Sequence, residues 1–541
     1  MKTVLVIGGG ISGLVASINL RNKGYNVILV EKNSNLGGRL YQSREGEYIV
    51  NNGPSWYWFP SLIQSIYKKL GIKDVYELER LDPQYKIIFE TDVFDIPADF
   101  EITKKLFCMY DPNIINRLNT FMKKSKYKFQ KGLGKFIHLP NISVSEYLIP
   151  QLPYYIFRFE ILKTYRNLCK KVTNYENIQR ILEWPALFIG SSPKNIPGLY
   201  TLLTYSMLKE GTYIPKKKGM IEIIELLERN CRGIKILKNT EVKDFKIENN
   251  EIKKVILNTE EIEVDYVLNS ADYYHIEKLL PNKFRSYPNI YWYKMKVCPS
   301  AIIFSISLDI KLPQLEFHNL FFRGNLDEHT FFLYNTTILP PKPLFYVNIT
   351  TKLFKEAPQG QENLFILIPS NPDRDIPTYE INRVFKYVIE EISNFCKIDL
   401  NNHILDKRKF VNGTFLTKFN SFKCNAYGLS CDGCQNIFIR PKIKSLYLNN
   451  LYYCGQMTSP GPGVAPCMVS GMNSSNLLDE NDKHLEPIRF YSWWVIMRLI
   501  THFITLFFII GIRRELYYAM KREFKYLIFN NLNNCPSYNV F

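Results

Sequence analysis

The chain has 541 residues, 46% hydrophobic and 22% charged, a composition that excludes a disordered or fibrous protein and suits several packed lobes. Its 69 Lys+Arg against 51 Asp+Glu leave a net charge of +18, which favours an anionic partner; no nucleic-acid-binding module is legible, so a membrane surface is expected. Eleven cysteines without disulfide-like spacing point to a reducing compartment, and Cys431-x-x-Cys434 lacks the His or second Cys pair of a zinc set, so no metal site is expected.

Met1-Lys2 runs straight into "TVLVIGGGISGLVASINLRNKGYNVILVEK", which leaves no room for a leader and predicts strand, turn, helix and strand. Val4 to Ile7 is an unbroken apolar run, as a parallel strand buried on both faces requires. Gly8, Gly10 and Gly13 form G-x-G-x-x-G. The first glycine permits the tight turn, the second lets backbone approach a pyrophosphate, and the third lets helix pack on strand. Ile11 and Ser12 open the helix, whose free N–H groups would face the phosphates. Leu14, Val15, Ile18 and Leu20 predict one buried helix face. The second strand ends at Glu31, about 20 residues past the third glycine, where a carboxylate meets ribose hydroxyls. NAD and FAD share this fingerprint. Next comes "EKNSNLGGRLYQ", a second glycine turn at Gly37-Gly38, with Arg39 placed to reach a pyrophosphate.

In "VNNGPSWYWFP" a Gly53-Pro54 turn precedes Ser55 and a row of rings, Trp56, Tyr57, Trp58 and Phe59, that needs a large apolar partner. Further on, Ile114, Ile115, Leu118, Phe121 and Met122 share one helical face, followed by the lysine-rich "KKSKYKFQKGLGK". Such a pairing suits lipid headgroups, and equally a solvated loop. "NTEVKDFKIENNEIKKVILN", which contains Val242, predicts a hairpin turning at Asn249-Asn250, and "VDYVLNSAD" a buried strand ending at Ala271-Asp272. In "CGQMTSPGPGVAP", Gly455, Gly461 and Gly463 leave no side chains to block a planar ring, and Pro460, Pro462 and Pro466 stiffen the path. A helix expected to begin near Pro466-Cys467 would aim its positive end at that ring. Finally, Phe490 to Ile512 is long enough to cross a bilayer, with Trp493-Trp494 and Arg513-Arg514 at its edges and Arg498 and His502 inside.

Gly37-Gly38-Arg39 following Glu31 resembles flavoproteins of the amine oxidase and carotenoid desaturase superfamily. "GPSWYWFP" with "ELERLDP", "KGMIEIIELLERN", "KCNAYGL" and "NLYYCGQMTSPGPGVAPCMVSG" resemble segments of bacterial and fungal phytoene desaturases, in family order from Thr3 to Leu478. The resemblance implies an α/β fold: a Rossmann-type FAD-binding domain, a mixed α+β substrate domain and a C-terminal hydrophobic helix. The FAD-binding domain is expected from residues 1–88, 214–290 and 440–482, the substrate domain from 89–213 and 291–439, and a membrane anchor and tail from 483–541. It further implies an FAD site at Gly8, Gly10, Ile11, Ser12, Gly13, Glu31, Lys32, Gly38, Arg39, Gly53, Pro54 and Ser55. Later segments add Val242, Ala271, Asp272, Gly455, Gln456, Pro460, Gly463, Val464 and Ala465. Trp56 and Tyr57 would face the substrate, a long polyene such as phytoene taken from a membrane by a catalytic body on its cytosolic side. Quinone or oxygen would take the electrons. No side chain stands out as an acid or base. Carotenoid isomerases, saturases and later-step desaturases share these motifs; flavin-free prenyl-binding escort proteins share the scaffold, and the intact glycine set argues against them. Two positions depart from the pattern: Asn51 stands where the family has Asp, and Lys218 where it usually has Gly.

Overall fold

In the computed structural model, which describes residues 1–483 apart from 148, 374, 437 and 438, Thr3–Ile7 is the middle strand of a five-stranded sheet. The order is Leu451–Tyr453, Tyr266–Asn269, Thr3–Ile7, Asn26–Val30 and Lys235–Leu237, and every pairing is parallel. Val4, Leu5 and Val6 are fully buried, so the apolar run has no solvent face to support with polar residues. The sheet therefore draws strands from both ends and the middle of the chain.

The helix Ile11–Asn22 was expected to bury one face; every residue from Ile11 to Leu20 is buried. The sheet lies on one side of it and the helix Val464–Asp482 on another, so close that a Cβ on Gly471 would lie 2.4 Å from Ser12 O. Asn19, buried between them, donates to Ser475 Oγ at 2.8 Å and Asn476 Oδ1 at 2.9 Å, which satisfies an amide that would otherwise cost about 1–3 kcal/mol.

A second sheet has seven strands, in the order Ile404–Phe410, Ser300–Leu308, Glu362–Ser370, Phe345–Ile349, His318–Phe321, Tyr85–Ile88 and Val93–Ile96. Alternation sorts its two faces. Ile302, Phe304 and Ile306 pack with Val384, Val388 and Ile392 of the helix Thr378–Cys396, while Ala301 and Ile303 join Trp56, Trp58 and Trp184 on the other side. The expected hairpin is present: Val242–Glu248 pairs with Glu251–Leu257, and Asn249 and Asn250 take positive φ, +50° and +59°.

In the helix Ile114–Gly134, Ile114, Leu118, Phe121 and Met122 turn inward and Ile115 is exposed. The apolar face read as membrane-facing is thus packed core. Lys128 is buried as well, donating to Glu160 Oε2, Gly198 O and Thr201 Oγ1. Among the described residues no helix is long and apolar enough to cross a membrane; the Phe490 to Ile512 segment, and with it the expected C-terminal hydrophobic helix, lies outside the described residues. Both sheets and the helices that cover them belong to one compact unit, Met1–Ile142 with the described residues from Pro153 onward.

Candidate flavin site and adjoining cleft

At the carboxyl end of the Thr3–Ile7 strand the glycine turn is closely packed. Gly8 has φ +95°, and a Cβ there would lie 2.8 Å from Ala271 N; one on Gly13 would lie 2.0 Å from Gly8 O. Gly10 is different, with open space where its Cβ would be. No side chain caps the helix that starts at Ile11, so its first N–H groups are left for an anion. Glu31, buried at the end of the second strand, accepts from Gly9 N at 2.8 Å through Oε2, and from Asn33 N at 2.9 Å through Oε1. A carboxylate offers about four acceptor positions, so it braces the turn and keeps capacity for hydroxyl donors. Val242 is buried in the hairpin sheet, two residues past Thr240, whose N–H donates to Glu31 O at 2.9 Å.

The second glycine turn lies against the first: Gly37 N donates to Gly9 O at 2.8 Å, and a Cβ on Gly38 would approach Gly10 Cα to 3.4 Å. Arg39 follows. Its Nη2 donates to Ser421 Oγ at 2.8 Å, its guanidinium lies over the Phe419 ring at 5.2 Å, and its Nε is buried with no hydrogen-bond partner. Burial lowers its pKa, and the charge of Asp272 partly offsets that shift. A half-buried cation whose buried Nε–H is unsatisfied is what a pyrophosphate would complete.

Sequence reading missed the segment that covers this end of the site, although "KCNAYGL" falls within it. Lys32, expected at the cofactor, donates to Thr417 O and Asn420 Oδ1. Asp272 caps the helix Tyr273–Leu279 through His275 N at 3.1 Å and accepts from Phe422 N at 3.0 Å. Asn420, Lys423 and Cys424 all have positive φ. Strained backbone persists only where its surroundings over-determine it, and here those surroundings are Arg39 and Asp272.

From the carboxyl terminus, Gly455 (φ +103°) comes within 3.3 Å of Ser12 Oγ at its Cβ position and donates to Ser470 Oγ. Gln456, with its amide oriented to satisfy its donors, accepts from Arg39 Nη1 at 3.2 Å and Nη2 at 3.1 Å. Pro460 leads to Gly461, whose Cβ position is 3.3 Å from Nη1 of Arg440. The fully buried Arg440 clamps the loop by donating to Gln456 O and Leu429 O. The helix begins at Val464, two residues before the expected start, with Gly463 uncapped and Ala465 buried. Two helix amino ends are therefore free of side-chain caps at this site.

Gly53 joins the turn to a cleft. With φ +137°, it sits so that a Cβ would be 2.0 Å from Arg39 O. Gly53, Pro54 and Ser55 then line a narrow cleft of about 20 Å³, whose other walls set Leu40, Met220, Phe317 and Phe365 beside Asn51 and Asn348. Trp56 and Tyr57 stand behind it: Trp56 packs with Trp58 and Trp184, and Tyr57 is in the core of the nucleotide-binding side, its hydroxyl accepting from Tyr76.

Both departures from the family pattern have local explanations. Asn51 Nδ2 donates to the buried Glu356 at 2.6 Å, and burial raises the Glu356 pKa. An aspartate at 51 would oppose that carboxylate. Lys218 takes no positive φ; the following Gly219 does, at +70°, and Lys218 Nζ pairs with Glu225 at 2.8 Å. Asn51→Asp is expected to destabilise the fold by about 1–3 kcal/mol. The folded state would then bind more protons than the unfolded one above the ordinary carboxylate range, so the loss grows as pH rises from 4 to 8. Thermal melts of wild type and Asn51→Asp across that range measure it, and a pH-independent difference would refute the pairing.

A sequence profile of flavin containing amine oxidoreductase matches residues 11–478. The chain belongs to this family. It is an FAD-dependent oxidoreductase, and the cradle just described has the donors FAD needs. A carotenoid 3,4-desaturase of Haloarcula japonica is 27% identical over 496 residues, covering 89% of this chain and 98% of the relative. A phytoene desaturase of Phycomyces blakesleeanus is 28% identical over 516 residues, covering 90% and 87%. Among solved structures, cyclohexylamine oxidase of Brevibacterium oxydans superposes with a TM-score of 0.56 at 12% identity, covering 89% of this chain and 99% of that one. That likeness speaks for the fold.

Proposed function

We propose that this protein is a carotenoid desaturase that introduces double bonds into a long polyene, with FAD as the two-electron acceptor. The observation that carries the reading is the join at Gly53, where the turn packed on Arg39 continues directly into a narrow, mostly apolar cleft. The names of the relatives supply the substrate class. In this reading Gly8, Gly10, Ile11, Ser12 and Gly13 hold the pyrophosphate with Gly38 and Arg39, and Glu31 takes the ribose. Val242, Ala271 and Asp272 flank the adenosine side, while Gly455, Gln456, Pro460, Gly463, Val464 and Ala465 face the ring.

A bound flavin supplies an acceptor for a hydrogen that leaves with its electron pair. The chain supplies placement and the exclusion of water. Exposing a long hydrocarbon to water costs about 0.8 kcal/mol per CH₂, so we place the source of substrate in a membrane, with residues 483–541 as its attachment and quinone or oxygen as the final electron acceptor. The net charge of +18 supports an anionic surface. Expression in cells that accumulate phytoene, followed by pigment extraction, is expected to yield coloured polyenes. Unchanged phytoene beside a flavin-loaded protein would overturn desaturation of this substrate; a colourless, lipid-loaded protein would favour a carrier.

A further inference from the structure

Directly after Gly53-Pro54, the Ser55 hydroxyl lies on the cleft wall and 2.7 Å from the Tyr346 hydroxyl. That hydroxyl is in turn 2.6 Å from His318 Nδ1. His318 and Tyr346 lie on adjacent antiparallel strands, where His318 pairs with Asn348, so Tyr346 is its diagonal neighbour on the same face. Asn348 and Phe317 also line the cleft. Trp56 stacks on the imidazole, 3.9 Å between centroids and 7° from parallel. His318 is fully buried, and its Nε2 has no hydrogen-bond partner. Buried polar side chains are nearly always satisfied. The equally buried His329 also leaves Nε2 unpartnered, but its Nδ1 accepts from the backbone N–H of Leu344; His318 instead ends a hydrogen-bonded chain of side chains that begins at the cleft.

We propose that Ser55, Tyr346 and His318 form a proton relay that accepts the hydrogen lost as a proton during desaturation. The inference rests on the desaturase reading. Converting a C–C to a C=C bond removes two hydrogens: one leaves with its electron pair to the flavin, the other leaves the neighbouring carbon as a proton, and that C–H pair becomes the π bond. Ser55 Oγ takes this proton and passes its own to Tyr346 Oη, which passes its own to His318 Nδ1. Nothing in the relay changes oxidation state. Burial holds His318 far less basic than usual, so the resting ring is neutral, and the relay requires its one proton to sit on Nε2. A carbon beside an electron-deficient centre is acidic enough to use so weak a base. Ser55, which meets the cleft, is the catalytic residue; Tyr346 and His318 act through it.

Two measurements test this. ¹⁵N spectra of the resting holoprotein, with the His318 signals assigned by difference against His318→Gln, are expected to show a neutral ring protonated at Nε2. A proton on Nδ1 would overturn the relay, because that atom could not then accept. Second, Ser55→Ala and Tyr346→Phe are expected to keep the apparent affinity for phytoene in phosphatidylcholine vesicles, and to lower the melting temperature only by the few degrees that a lost buried hydrogen bond costs. Both would slow anaerobic flavin reduction by phytoene about 10²-fold and abolish the solvent deuterium isotope effect that the relay predicts for wild type. Unchanged rates would overturn the relay. If wild type itself is never reduced by phytoene, the substrate assignment has failed, and the ring protonation still decides whether the chain can take a proton.

Discussion

Replacing Gly53 by alanine is expected to yield a protein that is both less stable and stripped of flavin. At φ +137° a side chain is strained whatever the space, and here the added Cβ would sit 2.0 Å from Arg39 O and 3.3 Å from Leu40 Cα. Strain and overpacking each cost about 1–3 kcal/mol, and both would fall on the strand of backbone that joins Arg39 to the cleft. Gly46 provides the control. It also has a positive φ, +61°, but nothing lies within 4 Å of its Cβ position, so Gly46→Ala should cost only about 1–2 kcal/mol and leave flavin content unchanged. Urea unfolding of both variants, with flavin absorbance per mole of protein, separates the two effects. Equal losses would mean that conformation alone matters at Gly53 and that its approach to Arg39 does not.

Arg39→Met should move apoprotein and holoprotein in opposite directions. The guanidinium is desolvated, its Nε is buried without a partner, and no carboxylate hydrogen-bonds to it. Replacing a poorly compensated, half-buried charge by an apolar side chain of similar length is expected to be neutral or mildly stabilising. Methionine can still lie on Phe419. The flavin-loaded protein would lose charge-assisted hydrogen bonds of about 1.5–3 kcal/mol each, a fall in FAD affinity of roughly 10²-fold. Melting of the flavin-free protein and FAD titration by fluorescence measure the two sides. A destabilised apoprotein that still holds FAD tightly would make Arg39 a structural residue.

These expectations mix features of very different visibility in the chain. The glycine fingerprint could be read directly because its spacing encodes geometry within one strand–turn–helix unit, and each glycine meets the neighbour that unit implies: Gly13 meets Gly8, and Gly10 meets open space. The Asn249-Asn250 turn was legible for the same reason. Helix amphipathicity was less informative. The Ile11–Asn22 helix is buried all round because a second helix from the other end of the chain covers what a lone helix would expose. The Ile114–Gly134 helix turns inward the face that a membrane reading would turn outward. Periodicity reports that a face is apolar and says nothing about what covers it.

Asn51 departs from the family pattern in the sequence, and the reason, Glu356, lies 305 residues away; the bond by which Lys32 holds the loop at Asn420 is equally invisible there. No feature near His318 in the sequence marks it, since its partners lie at Ser55, Trp56 and Tyr346. Cofactor class and the location of its turns thus followed from short-range spacing, where covalent geometry restricts what a few residues can do. The identity of each buried polar partner depended on which distant strands came to share a sheet face. That choice is made by the burial of apolar surface over the whole molecule, which no short window of sequence records.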